Sequence, residues 1–590
     1  MLLDVSHLSV CYKGQVPSVK DLSFHLDNGE ILAVVGESGS GKSTLLHAII
    51  GLLPDNGRII NGSIRFADQD LTSFSLRQWR EIRGRRIGYI FQDAGASLNP
   101  VRKIGSQFTE YIRSHDKIGR KKAQMMESEM LRKLSLHDGQ RILNSYPSQL
   151  SGGMKQRVAI AMAMIFNPDL IIADEPTSAL DTVSQAQIIE ELHYLKKTFG
   201  TSVILVTHNI NVAARVADKI GIMLDGTLLE HDATDEVICN PKTEYAKELL
   251  RNNIKLYEES LGGFNRAEDA IFTGENISKY YSTVNGRKAL RVLHQVSIEI
   301  KRGEFIGIVG ESGCGKSTLA KTLLGLEKPD NGRVLFHDID IAFLSLSQQR
   351  EFRRKVQLVF QSPMETFSPR MKIGTVLKEP LCNFGIKNRK ELPEAVNEAL
   401  QKMLLPESYQ HKYPHELSGG ELQRVSIARC LEIQPEVIIY DEPTSALDTV
   451  IQKQILKDIL HIHKENKLTS IFISHDIALI RHISDRIIVM YRGCIVEILR
   501  GCDLLTKARH PYTKELLNAV CSLDREEDVI SPVATGLNNE SESSATGCVY
   551  YHRCCRRKND CMLSEPTLKE DESGNLCACF FPTEVVNDIL

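Results

Sequence analysis

At 590 residues and 66.2 kDa the chain is too long for one hydrophobic core, and length alone predicts about three or four domains. A net charge of −3, with 42% hydrophobic and 25% charged residues, is that of an ordinary globular protein and gives no support for a nucleic-acid partner. No apolar run reaches the roughly 18 residues that cross a bilayer, and Met1-Leu2-Leu3-Asp4-Val5 lacks a basic-then-apolar leader, so an intracellular protein is expected. Any membrane span it works with must come from another chain.

The first half opens with a strand-like segment, Leu8-Ser9-Val10-Cys11-Tyr12, where the Tyr12 ring is placed either to stack on a base or simply to fill the strand. The apolar run Ile31-Leu32-Ala33-Val34-Val35 reads as a buried parallel strand. It leads into Gly36-Glu37-Ser38-Gly39-Ser40-Gly41-Lys42-Ser43-Thr44, which fits the phosphate-cradling pattern G-x-x-x-x-G-K-[ST], and then into an apolar helix from Leu45 to Leu53. Glycines without a Cβ let successive N–H groups converge on one point, and the helix adds its positive end. The lysine supplies a point charge for the β- and γ-phosphates, and the serine hydroxyl is a hard oxygen ligand suited to Mg²⁺.

Further on, Arg86-Ile87-Gly88-Tyr89-Ile90-Phe91-Gln92 is a strand that ends in glutamine. The charged stretch from Ser114 to Gln140 has helical spacing, and its Met125, Met126 and Met130 are expected in the core of a helical subdomain. Leu150-Ser151-Gly152-Gly153 precedes an Ala- and Met-rich helix. The continuous apolar run Leu170-Ile171-Ile172-Ala173 then ends in Asp174-Glu175, with Ser178-Ala179-Leu180-Asp181 shortly after. A last strand, Ser202 to Thr207, ends in His208.

The second half repeats this order. A second loop reads Gly310-Glu311-Ser312-Gly313-Cys314-Gly315-Lys316-Ser317-Thr318, after the apolar run Phe305 to Val309 and before a helix from Leu319 to Leu326. Gln361 follows Gln92 by 269 positions. Ser418-Gly419-Gly420, Asp441-Glu442, Ser445-Ala446-Leu447-Asp448 and His475 follow their first-half counterparts by 267. Landmarks in one order at nearly one offset mean a tandem duplication of a whole domain. Domains are expected at 1–250 and 271–523, joined by a polar linker at 251–270 that carries Gly262-Gly263.

Residues 524–590 are expected to form an acidic, Ser-rich flexible spacer and a Cys-rich end. Six of the 14 cysteines crowd between Cys548 and Cys579. Cys548, Cys554, Cys561 and Cys579 make the pattern C-x5-C-x6-C-x17-C, with Cys555 and Cys577 as extra thiols. In a reducing compartment four thiolates suit an iron–sulfur cluster or a closed tetrahedral zinc, although the spacing is not that of a zinc ribbon.

At these residues the chain resembles an ABC (ATP-binding-cassette) protein with two fused nucleotide-binding domains, over nearly all of Met1 to Val520. Leu150-Ser151-Gly152-Gly153 and Leu417-Ser418-Gly419-Gly420 are the family's LSGG signatures. More narrowly it resembles the dipeptide/oligopeptide/nickel importer subfamily, through Ser97-Leu98-Asn99-Pro100, Tyr146-Pro147, Tyr413-Pro414-His415-Glu416 and His510-Pro511-Tyr512-Thr513. Two stretches depart from that pattern: Phe367-Ser368-Pro369-Arg370, and Asn240-Pro241-Lys242-Thr243 in a first half that has no cysteine tail of its own. The fold implied is α/β, with two tandem P-loop NTPase cassettes, each with a mixed β-sheet core and a helical subdomain, plus a small Cys-rich C-terminal tail.

The resemblance also implies a chemistry. Two cassettes pair head to tail, so that each ATP lies between the phosphate loop of one and the signature of the other. Lys42 and Lys316 would hold the β- and γ-phosphates. Ser43 and Ser317, with Asp174, Asp441, Gln92 and Gln361, would serve Mg²⁺ directly or through water. Glu175 and Glu442 would polarise the attacking water, and His208 and His475 would contact the γ-phosphate. Ser151, Gly152, Gly153, Ser418, Gly419 and Gly420 would reach the opposite γ-phosphate. Tyr12 and Tyr281 would stack on adenine, with Tyr280 competing for the second place. The four tail thiolates would hold a [4Fe-4S] cluster, with zinc as the alternative.

The implied function is an ATP-hydrolysing energy-coupling subunit of an importer for peptides or nickel complexes. It would act at the cytoplasmic face of the membrane on two separate permeases, with a solute-binding protein delivering the cargo. The alternative is a twin-cassette ATPase acting on ribosomes or nucleic acid. Such proteins carry a long charged inter-cassette linker and basic extensions, where this chain has a short, mildly acidic join. Both copies keep the glutamate and the histidine, so two competent sites are expected.

Overall fold

The computed structural model describes residues 1–13, 16–134, 136, 138–178, 180–258, 269–282, 289–445, 447, 449–520 and 547–583. Ala179, Ala446, Asp448, the Gly262-Gly263 pair of the expected linker and the expected spacer at 524–546 lie outside these. The chain divides into two compact units, Met1–Lys255 and Leu256–Val520 with the described C-terminal residues.

Each unit is built on a sheet whose central parallel strands are buried throughout, as strands covered on both faces are. In the first unit the six-stranded sheet runs in the order Thr227–Ala233, Lys219–Leu224, Ile31–Val35, Ser202–Thr207, Leu170–Asp174, Ile87–Ile90. All five residues of Ile31–Val35 are buried, and so are all five of Leu170–Asp174. The terminal strand Thr227–Ala233 is antiparallel to its neighbour, which makes the sheet mixed. A separate antiparallel sheet of four strands, led by Leu3–Tyr12, packs its alternating apolar side chains over the helix Lys42–Ile49.

The second unit repeats both sheets, with one addition. Its parallel sheet carries eight strands, because the short strands Lys569–Glu570 and Leu576–Cys577 from the C-terminal region extend the edge beyond Cys494–Arg500. Leu576 pairs with Ile498 and Cys577 with Glu497, so part of the cysteine region is built into the domain as extra strands.

The segment Ser114 to Gln140 contributes to three helices, Ile104–His115, Arg120–Lys133 and Gly139–Asn144. Met130 is buried and Met126 packs against the same core, but Met125 is 73% exposed, so the methionine stripe is two residues wide rather than three. In the second unit the corresponding helices are Ile373–Phe384 and Leu392–Lys402. The helix Glu244–Glu258 runs into the segment expected as linker. Among the described residues no helix is long and apolar enough to cross a membrane.

Candidate functional site

The two phosphate loops have nearly the same local geometry. Each follows a central buried strand and opens a helix, Lys42–Ile49 or Lys316–Leu323, from a glycine in the left-handed region (Gly41 φ 99°, Gly315 φ 107°). The first glycine of each loop is required by close approach. A Cβ on Gly36 would lie 2.1 Å from the Met223 carbonyl oxygen, and one on Gly310 would lie 2.2 Å from that of Met490. Lys42 Nζ donates to the carbonyls of Gly36 (2.8 Å) and Glu37 (2.6 Å), and lies 3.4 Å from Ser40 Oγ. Lys316 Nζ does the same to Gly310 (2.7 Å) and Glu311 (2.9 Å). Both lysines are buried, so an ammonium is held inside a ring of backbone dipoles, where a phosphate group would be a stronger partner.

The acidic pair closes the site from the strand two places along the sheet, Leu170–Asp174 or Val437–Asp441. Ser43 Oγ donates to Asp174 Oδ1 at 3.4 Å, and Ser317 Oγ to Asp441 Oδ1 at 3.0 Å. A hydroxyl beside a carboxylate is an oxygen donor set that suits Mg²⁺. Glu175 Oε2 accepts from Gln92 Nε2 at 3.1 Å and lies 3.2 Å from His208 Nδ1. Glu442 Oε2 accepts from Gln361 Nε2 at 3.1 Å and lies 3.4 Å from His475 Nδ1, while its other oxygen is 3.9 Å from Lys316 Nζ.

Charge separates the two acids within each pair. Burial pushes Asp174 and Asp441 above the usual carboxylate range, only partly offset by hydrogen bonds from Tyr89 and Ser43 to the first and from Ser317 to the second. Burial also pushes Glu175 and Glu442 up, but the hydrogen bond and charge of His208 or His475, together with the loop lysine, outweigh it and leave both glutamates below their ordinary value. The glutamates therefore stay ionised and able to accept a proton or orient water. Both also sit in the left-handed backbone region, Glu175 at φ 45° and Glu442 at φ 47°, an uncommon conformation for a side chain-bearing residue.

Each unit thus brings together lysine, serine, aspartate, glutamate, glutamine and histidine from four segments. The signatures stand apart, at the starts of the helices Gly152–Met164 and Gly419–Leu431. Ser151 Oγ caps the first by accepting from Met154 N–H (3.3 Å), and Ser418 Oγ caps the second through Glu421 N–H (3.4 Å). Gly153 and Gly420 keep these helices close to their neighbours: a Cβ would lie 2.8 Å from Ser184 Oγ and 2.5 Å from Ile451 Cγ2.

Tyr12 and Tyr281 occupy matching places. The Tyr12 hydroxyl is 3.1 Å from Thr44 Oγ1, and the Tyr281 hydroxyl interacts with Thr318 and Glu327. Tyr280 is instead tied through its backbone N–H to Asp330 (2.7 Å). Tyr89, which the sequence did not single out, donates to Asp174 Oδ2 at 3.2 Å, and Leu358 stands at the equivalent place in the second unit.

The first departure from the subfamily pattern keeps its packing. Phe367 is buried as Leu98 is. In both halves a buried glutamate, Glu230 or Glu497, accepts the backbone N–H groups of Lys242 and Thr243, or of Arg509 and His510.

Cys548, Cys554, Cys561 and Cys579 line one narrow cavity with His510, Tyr550 and Phe581. Burial raises the Cys548 thiol to about 11 and pushes Cys554 and Cys579 upward. Cys577 is buried on the adjoining strand, and Cys555 is exposed. Among the described residues no three His, Cys, Asp or Glu side chains are grouped tightly enough to hold a metal ion, so the expected cluster finds no support in the spacing of these thiols.

A phosphate loop between a central parallel strand and its helix, faced by a carboxylate pair, defines a P-loop nucleoside triphosphatase. The family model described as ABC transporter matches residues 19–178 and 293–445, and that described as oligopeptide/dipeptide transporter, C-terminal region, matches residues 496–561. The chain belongs to the ATP-binding proteins of the ABC transporter family, which bind ATP with Mg²⁺ and hydrolyse it. It is similar to the glutathione import ATP-binding protein GsiA of Pectobacterium atrosepticum, with 36% identity over 556 residues covering 88% of this chain and 89% of the relative. The proteins of the same name from Shigella boydii and Escherichia coli are likewise 36% identical over 557 residues, with the same coverage.

Proposed function

We propose that the chain is the energy-coupling ATPase of a peptide importer, taking up a short peptide of the size of glutathione. The likeness along nearly its whole length to proteins named for glutathione import carries this reading. The nickel-complex alternative has no comparable support. Two membrane permeases would form the path, and a solute-binding protein outside the membrane would deliver the cargo.

In this reading each ATP is held by one phosphate loop and covered by the signature of the other cassette, so γ-phosphate contacts to both copies exist only when the cassettes close. Lys42 and Lys316 neutralise the β- and γ-phosphates. Ser43 and Asp174, or Ser317 and Asp441, with Gln92 or Gln361 nearby, would hold Mg²⁺, which would supply charge stabilisation to the transferring phosphoryl group. Glu175 and Glu442 orient and polarise water, and His208 and His475 hold those glutamates and reach the γ-phosphate. Tyr12 and Tyr281 face the base.

The movement would pass to the permeases beside Gln92 and Gln361. What supports that route is a cavity of about 310 Å³ in the second unit, lined by Leu326, Phe352, Phe360, Pro380, Phe384 and Arg429, next in sequence to Gln361. Phe360 beside this cavity, and Phe91 next to Gln92 in the first unit, are each more than 40% exposed, as a surface that meets another apolar chain requires. At the far end of the chain four thiols line one cavity without being grouped tightly enough to hold a metal, and metal analysis of anaerobically purified protein with its visible spectrum tests whether iron–sulfur, zinc or no metal is held by Cys548, Cys554, Cys561 and Cys579.

Uptake of a labelled tripeptide by cells lacking this chain tests the function. Restoration by the wild-type chain but not by K42A/K316A, together with co-purification of membrane permeases, supports import. Co-purification of ribosomes without uptake supports the twin-cassette alternative.

A further inference from the structure

The C-terminal region reaches the second phosphate loop itself. The Arg553 guanidinium is shared between two carboxylates: Nη1 lies 2.7 Å from Glu311 Oε1, and Nη2 lies 2.6 Å from Glu515 Oε1. Glu311 is the second residue of the loop. Its carbonyl accepts from Lys316 Nζ (2.9 Å), and its N–H donates to the Tyr512 hydroxyl (2.9 Å). The backbone on both sides of Glu311 and its side chain are therefore each tied, with two of the three partners lying beyond the last core strand. Only 17% of the Arg553 side chain, 22% of Glu311 and 13% of Glu515 is exposed, so this bridge is screened far less than a surface pair.

The arginine is itself held in place. The Tyr550 hydroxyl donates to Glu515, and the rings of Tyr491, Tyr512 and Tyr550 pack together at 4.6 to 5.6 Å. Arg553 N–H donates to the Tyr550 carbonyl at 3.1 Å, which fixes the turn that aims the guanidinium.

The first unit is built differently. It has no cysteine tail of its own, and Lys242, which stands where Tyr512 does, pairs its ammonium with Asp232 at 2.9 Å.

We propose that the C-terminal region is a working part of the second nucleotide site and not of the first, with Arg553 as a positioning residue that acts through Glu311. Two effects follow from one cation. Arg553 offsets a carboxylate that would otherwise repel the phosphates of ATP, and it pins the loop backbone whose N–H groups must point at them. This rests on the reading of Gly310 to Thr318 as an ATP site.

The test uses the full-length chain and binding of a fluorescent ATP analogue with Mg²⁺. K42A leaves the second site to report, and K316A leaves the first. R553Q is expected to weaken binding about tenfold in the K42A background, and to leave it within about twofold in the K316A background. E311Q removes the carboxylate that Arg553 offsets, so adding R553Q to E311Q should cost little more, whereas a tail that merely stabilises the fold gives additive losses. R553K, which keeps one cation, should recover part of the affinity. Equal losses at both sites, no loss at the second, or additivity of the two substitutions overturns the proposal. If K316A itself leaves the second loop binding nucleotide, the reading of that loop fails instead.

Discussion

His208 Nδ1 stands 3.2 Å from Glu175 Oε2, the oxygen that also accepts the Gln92 amide, and His475 and Gln361 meet Glu442 in the same way. A carboxylate held by two neighbours on one oxygen turns the other toward the loop lysine, 3.9 Å away in Glu442, on the side where water would be addressed. Since both copies are complete, E175Q and E442Q should each lower steady-state ATPase activity by at least about half, and the double variant by about 10²- to 10³-fold. Full activity in one single variant with none in the other would show that only one site works.

The left-handed backbone at Glu175 and Glu442 is strain stored where the chemistry takes place. Glycine adopts that conformation freely. E442G and E442Q both remove the carboxylate, but only the first relieves the backbone, so E442G should unfold with a stability about 1 kcal/mol above E442Q, read from denaturant melts of the second unit. Equal stabilities would mean that the conformation costs nothing.

His463, buried against Phe305 with Nδ1 at 2.9 Å from Ser470 Oγ, is pushed down by burial to about 4. Its folded value lies below its ordinary value near 6.5, so the unfolded chain takes up the proton first as pH falls. The second unit should therefore lose stability between about pH 6.5 and pH 4, at up to about 1.4 kcal/mol per pH unit from this group. In H463N the thermal midpoint should fall less between pH 7 and pH 5 than in the wild type. An unchanged pH dependence would place the proton elsewhere.

Leu576 and Cys577 extend the sheet edge at Ile498 and Glu497, and Asn575 Nδ2 donates to Asp503 at 3.2 Å. A chain ending at residue 546 uncovers this apolar edge. Its second unit should melt roughly 5 °C or more below that of the intact chain, with the first unit unchanged by scanning calorimetry. A uniform shift of both units, or none, would contradict a local role.

The phosphate loops, the carboxylate pairs and the terminal histidines were legible because each lies in a contiguous strand–loop–helix segment whose spacing carries its chemistry. The duplication made them more so, since Gln92 and Gln361 or His208 and His475 confirm one another by position. What could not be read is what long-range packing decides. Nothing local marks Arg553 as a partner of Glu311, and Tyr512 meets the loop from 201 residues away. The positive φ of the two glutamates is imposed by backbone ties, such as Glu442 N–H to the Ile473 carbonyl (3.0 Å), which no residue type announces. The exposure of Met125 shows the limit of helical spacing: a periodic stripe gives a face, but the packed neighbours set its width.

The central claim is that each nucleotide is enclosed by the phosphate loop of one cassette and the signature of the other. It is tested most directly by ATPase activity in two double variants of the full-length chain. K42A/S418R places both lesions in one shared site and should retain about half of wild-type turnover, whereas K42A/S151R damages both sites and should retain none. Retention by K42A/S151R with loss in K42A/S418R would mean that each cassette completes its own pocket, and loss in both would mean that neither site works alone.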